Sequence, residues 1–497
     1  MKNRTNITIG IATGALLLSS CAPERKAPNL VFVFSDQQTF DMLGCYGNQQ
    51  IITPNLDRFA NQGIRFTHCF SNSPICTPFR GMLLSGKHSI NNGCYVNDKP
   101  LIPGNGKKFA EVLRDAGYNT AYIGKWHLLG GDRDRPIPKG EMRYGFDELF
   151  LTNNCHVDFR AGNCFYWNDD GEKVFFNEWE VYGQTRQALD YLDTRKGSNR
   201  PFALFVSWHP PHDWGKFKGG DSLMHYKYDG PDELMTMYNR DSIRVRPGMK
   251  DSPDLRRMYH GQMAMTTGVD IAFGQLMLKL KQLGIEDNTL VVFTSDHGDM
   301  LEFDQAVYPK QYPHDYSLHI PYMMRWPGKF VPGSTTGLLY SALDMMPTIL
   351  GLMGLEVPEE CDGKNLSKPI FSGNENAVDF VPVWLYEGKG FRGVITREYT
   401  FATQKGATAG SLHSVLFDRV NDPCQLNNRF ADPSMNAVRE KLWKITADWM
   451  KIYGDEFFTE EEMEGRGVKR VKNERRVKRV KSVKSVKSVK NVEGVRV

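Results

Sequence analysis

Cysteine is scarce in this chain, with nine in 497 residues (21, 45, 69, 76, 94, 155, 164, 361 and 424). No spacing among them makes a disulfide framework or a zinc-ligand set, which excludes a small disulfide-held scaffold. Cys155 and Cys164 are a conceivable pair, and buried free thiols are an equal alternative. Long apolar runs are missing too. Beyond the extreme N-terminus no stretch could span a bilayer, which excludes a multi-pass membrane protein. A basic body is absent, although the formal net charge is +4. Residues 465–497 hold thirteen Lys and Arg against Glu474 and Glu493, a surplus of +11, so the remainder carries −7, or −9 without Lys2 and Arg4. An acidic body disfavours a nucleic-acid-binding fold. What is present is a chain long enough for a large core plus a smaller second unit, with 24% charged residues and a mean hydropathy of −0.46.

The two ends read as separate from the fold. Lys2 and Arg4 precede an apolar run from Ile7 to Leu18, followed by Ser19, Ser20 and Cys21. A charged start, a short apolar region and small residues describe an export signal over residues 1–20. Leu18-Ser19-Ser20-Cys21 resembles the bacterial lipobox, which implies cleavage before Cys21 and its lipidation; plain cleavage near Ala22 is the alternative. Residues 21–28 are then a polar tether. Such a protein is expected to be lipid-anchored in the periplasm or at the outer membrane of a Gram-negative cell. At the other end Val-Lys-Ser repeats through 480–490. A three-residue period fits neither a helix face nor a strand, so residues 456–497 are expected to be a disordered basic tail.

Between the ends, short apolar runs alternate with helical stripes. Asn29–Phe34, Tyr118–Ile123, Phe202–Trp208 and Thr289–Thr294 read as buried strands, with helices from Thr53-Pro54, over Phe109–Ala116 and through Val269–Leu283. Uniformly apolar strands separated by helices predict an α/β fold with a mostly parallel sheet covered on both faces. Each run ends in chemistry-bearing residues: Ser35-Asp36-Gln37, Gly124-Lys125-Trp126-His127, His209-Pro210-Pro211-His212 and Ser295-Asp296-His297-Gly298-Asp299. In such sheets ligands bind beyond the carboxyl ends of the strands. Four polar endings on one rim predict an active site. The catalytic α/β domain is expected over 29–379. Short strand-like pieces and a final helix place a smaller α+β unit at 380–455.

Cys76-Thr77-Pro78-Phe79-Arg80, with Ser85-Gly86 beyond, is similar to the C-x-P-x-R signature of the formylglycine-dependent sulfatases. Gly124-Lys125-Trp126-His127, Pro211-His212, Ser295-Asp296-His297-Gly298 and Arg325-Trp326-Pro327-Gly328 resemble further segments of that family, in the family's order over about residues 28–452. The resemblance implies an alkaline phosphatase-like fold and hydrolysis of sulfate monoesters. It implies that a maturation enzyme oxidises Cys76 to formylglycine (3-oxoalanine), whose hydrate attacks sulfur and then collapses to release sulfate. It implies a divalent cation, Ca²⁺ or Mg²⁺, held by Asp36, Gln37, Asp296, His297 and residue 76. Arg80 and His127 are then expected to hold the diol, Lys125 and Lys310 to bracket the sulfate, and His212 to protonate the leaving alcohol, with His209 as the alternative acid.

The sequence departs from the family at Gln37, where Asp is common, at His297, where Asn is common, and at His319, where Arg is common. The stretch from Glu302 to Asp304 also differs. A sulfated carbohydrate is the expected substrate, with galactose-type and amino-sugar sulfates both open. The aromatic and polar stretch Asn153–Asp170 is either a sugar subsite or a self-packed surface loop. A phosphate or phosphonate monoester hydrolase and a non-catalytic glycan-binding lipoprotein are the other readings. Because the tail sits apart from every motif, deleting residues 465–497 is expected to leave kcat/KM unchanged while turning the net charge negative. Steady-state kinetics on the truncated protein check this, and a large loss of turnover would give the tail a role.

Overall fold

In a computed structural model, which describes residues 26–406, 411–459 and 461–462, the chain forms one large mixed sheet and one small antiparallel sheet. The predicted export signal, Cys21 and the basic tail from 463 onward lie outside the described residues. Among the described residues no helix is long and apolar enough to cross a membrane.

The large sheet has ten strands in the order Ser334–Thr336, Ile64–Phe66, Tyr322–Arg325, Thr289–Ser295, Asn29–Ser35, Phe202–Ser207, Asn119–Lys125, Leu149–Asn153, Phe165–Trp167 and Lys173–Phe175. The strands from Thr289–Ser295 to Leu149–Asn153 run parallel. Tyr322–Arg325 is antiparallel to both its neighbours, and the far edge is an antiparallel hairpin. The central strands are apolar throughout because both faces are covered. Leu30, Phe32 and Phe34 enter one core, while Val31 and Val33 enter the other.

The second core is closed by the helix Pro253–Gln282, started by Ser252, whose side chain accepts from the Leu255 backbone N at 3.1 Å, with Pro253 at its first position. The helix Pro54–Gln62 takes its cap from elsewhere in the fold. Thr53 makes no side-chain cap. Asp270 of the long helix accepts instead from the backbone N of Asn55 and Leu56, at 3.0 and 2.7 Å, so the cap comes from tertiary structure.

The smaller unit is a four-stranded antiparallel sheet, Val381–Leu385, Phe391–Ile395, Tyr399–Thr403 and Val415–Asp418, against the helix Asn436–Tyr453. Packing runs past the expected boundary at 455. Phe458 is buried, and its ring lies 5.1 Å from that of Trp443, so the tail begins later than the composition indicated. The unit shares one continuous core with the first face of the large sheet. Its Trp384 donates through Nε1 to Ser89 Oγ at 2.7 Å, and its Arg392 forms a fully buried ion pair with Asp455.

His88 sits in this junction, fully buried, with its ring 3.9 Å from Trp384 and 4.9 Å from Tyr453. Its Nδ1 accepts from the Ile90 backbone N, and Nε2 has no partner. Burial, with Arg392 nearby, lowers the imidazole to about 3, against the opposing pull of Asp455. The folded value is below the unfolded one, so this stabilisation is complete above about pH 6.5 and is lost as pH falls toward 3. Between pH 7 and 5, His88 alone is expected to cost about 2 kcal/mol of stability. Denaturant unfolding across that range should show a flatter pH dependence in His88→Gln; identical slopes would remove His88 from the acid response.

Candidate active site

Strand register assembles the site. Phe34 pairs with Thr294 and Ser35 with Ser295, so Asp36 and Asp296 leave adjacent strands side by side. Gly124 pairs with Ser207, which sets Lys125 beside the turn that carries His209 and His212. Cys76 is the first residue of the helix Cys76–Ser85, all of which is buried. Its Sγ lies 3.3 Å from His297 Nε2, 3.3 Å from Lys310 Nζ, 3.6 Å from Lys125 Nζ and 3.7 Å from Asp36 Oδ1. Arg80, one helical turn on, faces the same way. Its guanidinium donates to Asp36 Oδ2 at 3.0 Å, Asp296 Oδ2 at 3.3 Å, the Lys125 carbonyl at 2.7 Å and Ser207 Oγ at 2.8 Å. Lys125 Nζ donates to Asp36 Oδ2 at 2.5 Å.

Three buried side-chain cations, Arg80, Lys125 and Lys310, therefore face the carboxylates of Asp36 and Asp296 and the thiol of Cys76. Buried charges of one sign are costly unless the other sign answers them. The ionisations follow. Burial would raise the Cys76 thiol, but Lys125, Lys310 and His297 hold it well below its ordinary value. Burial and Cys76 oppose ionisation of Asp36, yet Lys125, His212 and Arg80 keep it well below the usual carboxylate range. Asp296 is pushed up by burial and by the charge of Asp36.

The residues fit a divalent cation. Asp36, Cys76, Asp296 and His297 each offer one ligand atom, all within 4.8 Å of one another. Gln37, in a left-handed backbone conformation, places Oε1 in a buried position with no hydrogen-bond partner among the described residues. The structure explains why an amide stands here. Gln37 Nε2 donates to Asp213 Oδ1 at 3.0 Å and Asp299 Oδ2 at 2.9 Å, where a third carboxylate would be repelled. This fixes the amide so that its oxygen is the free end. His297 is set similarly: Nδ1 lies 3.0 Å from the Gly298 carbonyl, which assigns its hydrogen there and leaves Nε2 toward the cluster. The donor set of carboxylates, an amide oxygen and one imidazole suits a hard divalent ion.

His212 and His209 separate clearly. His212 Nε2 is 2.9 Å from Lys310 Nζ, and Nδ1 faces the Asp213 carbonyl. His209 lies behind, fully buried, with Nδ1 2.8 Å from Glu180 Oε2. His127 reaches Asp98 Oδ1 through Nε2 at 3.0 Å. Burial would lower its imidazole, but Cys155 and Asp98 push it up to about 10. His319 is not at the site: it stacks on Phe40 with ring centroids 3.9 Å apart, and its Nδ1 is 3.7 Å from Asp315 Oδ2. Cys155 and Cys164 are both buried free thiols. The Asn153–Asp170 stretch packs on itself, with the rings of His156 and Trp167 4.7 and 5.9 Å from Phe165. Asp98, Asp213, Tyr228 and Ser207 take part in the site without having been singled out in the sequence. Only Ser207 carried a signal, as the last residue of a strand.

These geometries agree with what the chain is similar to. A sulfatase family model matches residues 28–355, and one for the N-sulphoglucosamine sulphohydrolase C-terminal region matches residues 304–451. The chain is 32% identical over 445 residues to an ulvan-active sulfatase of Formosa agariphila, covering 87% of this chain and 83% of that one. It is 30% identical over 523 residues to an endo-4-O-sulfatase of Bacteroides thetaiotaomicron, covering 93% and 99%. A solved sulfatase of B. thetaiotaomicron, from work on its metabolism of glycosaminoglycans, superposes with a TM-score of 0.76 at 29% identity, covering 88% and 99%. A family model spanning most of the large sheet, with relatives matched over most of their own length, leaves one assignment: the chain belongs to the sulfatase family and is a sulfuric ester hydrolase.

Proposed function

We propose that this enzyme removes sulfate from a carbohydrate, acting at a chain end of sulfated glycan-derived sugars, with residue 76 as a formylglycine and a divalent cation bound beside it. The observation that carries the reading is the buried Cys76, 2% exposed, among Lys125, Lys310 and Arg80. Of the relatives named above, the ulvan-active sulfatase acts on a glycan by its description, and the solved structure comes from work on glycosaminoglycans, which supports a sugar as the alcohol. The burial of Cys76 supports action on a terminal ring rather than within a chain.

Asp36, Gln37, Asp296 and His297 would hold the cation, Ca²⁺ or Mg²⁺, which when bound offsets charge on the sulfate oxygens. The oxidised Cys76 supplies a hydrated aldehyde as nucleophile. Every other part of the chemistry falls to side chains already in place. Lys125 and Lys310 flank the reacting position and stabilise negative charge as it builds on the ester oxygens. Arg80 and His127 orient residue 76. His212, lined up by the Asp213 carbonyl and adjacent to Lys310, gives a proton to the departing sugar oxygen. Export and a lipid anchor at Cys21 would place the enzyme where extracellular glycans are met, and a sulfatase-maturating enzyme would act on the Cys76 segment first.

Expression with a maturase should convert the thiol of the Cys76 peptide to an aldehyde, read by mass spectrometry. Cys76→Ala should lower turnover of sugar sulfates by at least about 10³-fold. Retained turnover would shift the nucleophile elsewhere, and faster cleavage of matched phosphate esters would replace the sulfate reading. His212→Ala should lose about 10²–10⁴-fold on a sugar sulfate. Its loss should be far smaller on an aryl sulfate, whose phenol leaves without a proton donor. Equal losses on both would argue against His212 as the acid.

A further inference from the structure

The catalytic pocket is overlooked by the smaller unit. The turn between Val381–Leu385 and Phe391–Ile395 carries Glu387, with Gly388 and Gly390 at positive φ shaping the bend. Beside Glu387, the Tyr386 ring packs on Tyr95, ring centroids 5.9 Å apart, in the segment that holds Asn97. Glu387 Oε2 is shielded from solvent and has no hydrogen-bond partner among the described residues. The carboxylate lies close enough to Lys310, Cys76 and Asp98 to interact with their charges. Asn97 is itself tied to the catalytic helix, its Oδ1 accepting from the Thr77 backbone N at 3.1 Å. Glu387 is therefore carried by a turn that packs on the 95–97 segment, which is fixed to the helix that begins with Cys76.

The surroundings narrow what can answer the free oxygen. Asp98, close by, is consumed by Arg133 Nε and Nη2 at 2.9 and 2.7 Å and by His127. The Arg133 fork is thereby spent on a carboxylate and leaves the mouth without a free guanidinium on that side. Tyr95 is 36% exposed and packs edge-on to Tyr386, ring centroids 5.9 Å apart. A shielded carboxylate oxygen accepts only, so it needs hydrogen-bond donors. Sugar hydroxyls are such donors, and an exposed aromatic ring suits the apolar face of a pyranose. A carboxylate on the same ring would meet Glu387 at close range with little water between them.

Building on the carbohydrate reading above, we propose that Glu387 is a specificity-determining residue: it accepts hydroxyl hydrogens from the sulfated sugar ring, selects a neutral hexose or N-acetylhexosamine, and rejects a sulfated uronic acid. The substrate's only anionic group at this subsite is then the sulfate that Lys125 and Lys310 receive.

The matured enzyme, Glu387→Gln and Glu387→Ala are assayed on monosulfated galactose, monosulfated N-acetylglucosamine, a monosulfated glucuronate and an aryl sulfate. Thermal shift with inorganic sulfate reports whether the sulfate end of the pocket is intact. The expected result is a wild-type kcat/KM on at least one neutral sugar about 10²-fold or more above that on the uronate. Glu387→Ala should raise KM on that sugar about 10- to 100-fold with little change in kcat, and Glu387→Gln, which keeps an acceptor oxygen, should fall between. Aryl sulfate turnover and stabilisation by inorganic sulfate should match wild type in both variants. A preference for the uronate, an unchanged KM, or equal losses on sugar and aryl sulfate would overturn the role of Glu387. If the wild type cleaves the aryl sulfate but none of the sugars, the carbohydrate reading falls and this assignment with it.

Discussion

Everything at this site depends on holding unlike charges together without water. Asp36 is the hub: Lys125 Nζ at 2.5 Å, Arg80 Nη2 at 3.0 Å and Cys76 Sγ at 3.7 Å all meet its carboxylate. In a dry pocket a lone charge is expensive, whereas a charge with several hydrogen-bonded partners is not. Arg80 spreads the same solution across the sheet. Its contacts reach Asp36, Lys125, Ser207 and Asp296, which come from the carboxyl ends of separate strands that lie side by side. One guanidinium thus ties those strand ends to the helix that begins with Cys76. With residue 76 neutral, as in the proposed hydrate, the cations outnumber the carboxylates, and a sulfate ester can use that excess.

Such a cluster makes demands on the scaffold. Parallel strands deliver their ends to one rim, and they must be buried on both faces to be stable. Close approach matters as well. Gly124 has φ +105, and a Cβ there would stand 2.0 Å from the Ser207 carbonyl oxygen. Any side chain would push apart the two strands whose ends carry Lys125 and Ser207, the groups that Arg80 joins. The glycine is therefore part of the charge arrangement, although it carries no charge.

The sequence made much of this legible, for identifiable reasons. Cys76 and Arg80 sit four apart, a helical spacing that brings them onto one face. Asp36, Lys125, His212 and Asp296 each follow an apolar run, and a parallel sheet turns that local pattern into a shared rim. The strand Tyr399–Thr403 is hard to separate in the sequence because only Thr396-Arg397-Glu398, without glycine or proline, divides it from Phe391–Ile395. Asp98, Asp213 and Glu387 escaped for a deeper reason. Each is one acidic residue in a loop, placed by a contact far off in sequence: Arg133 for Asp98, Gln37 for Asp213 and the Tyr95–Tyr386 ring pair for Glu387. Gln37 shows the converse. As a departure from the family it weakened the metal reading, yet the carboxylates of Asp213 and Asp299 around its Nε2 give an amide a reason to be there.

The smaller unit then has a definite place in the chemistry. Its turn over the pocket rests on Arg392, whose guanidinium lies 3.9 Å from the Tyr386 ring and 4.0 Å from the Phe457 ring while pairing with Asp455. Removing either member of that fully buried pair would leave an unanswered charge beneath the turn. The pair joins the strand just after the turn to the stretch just after the last helix, so the end of the fold holds Glu387 in position. On the proposed reading, charge handling at sulfur belongs to the large sheet, and the view of the sugar belongs to the small one. Because one hydrophobic core runs through both, they share a rigid frame, and the distance between Cys76 and Glu387 is set by packing rather than by a hinge.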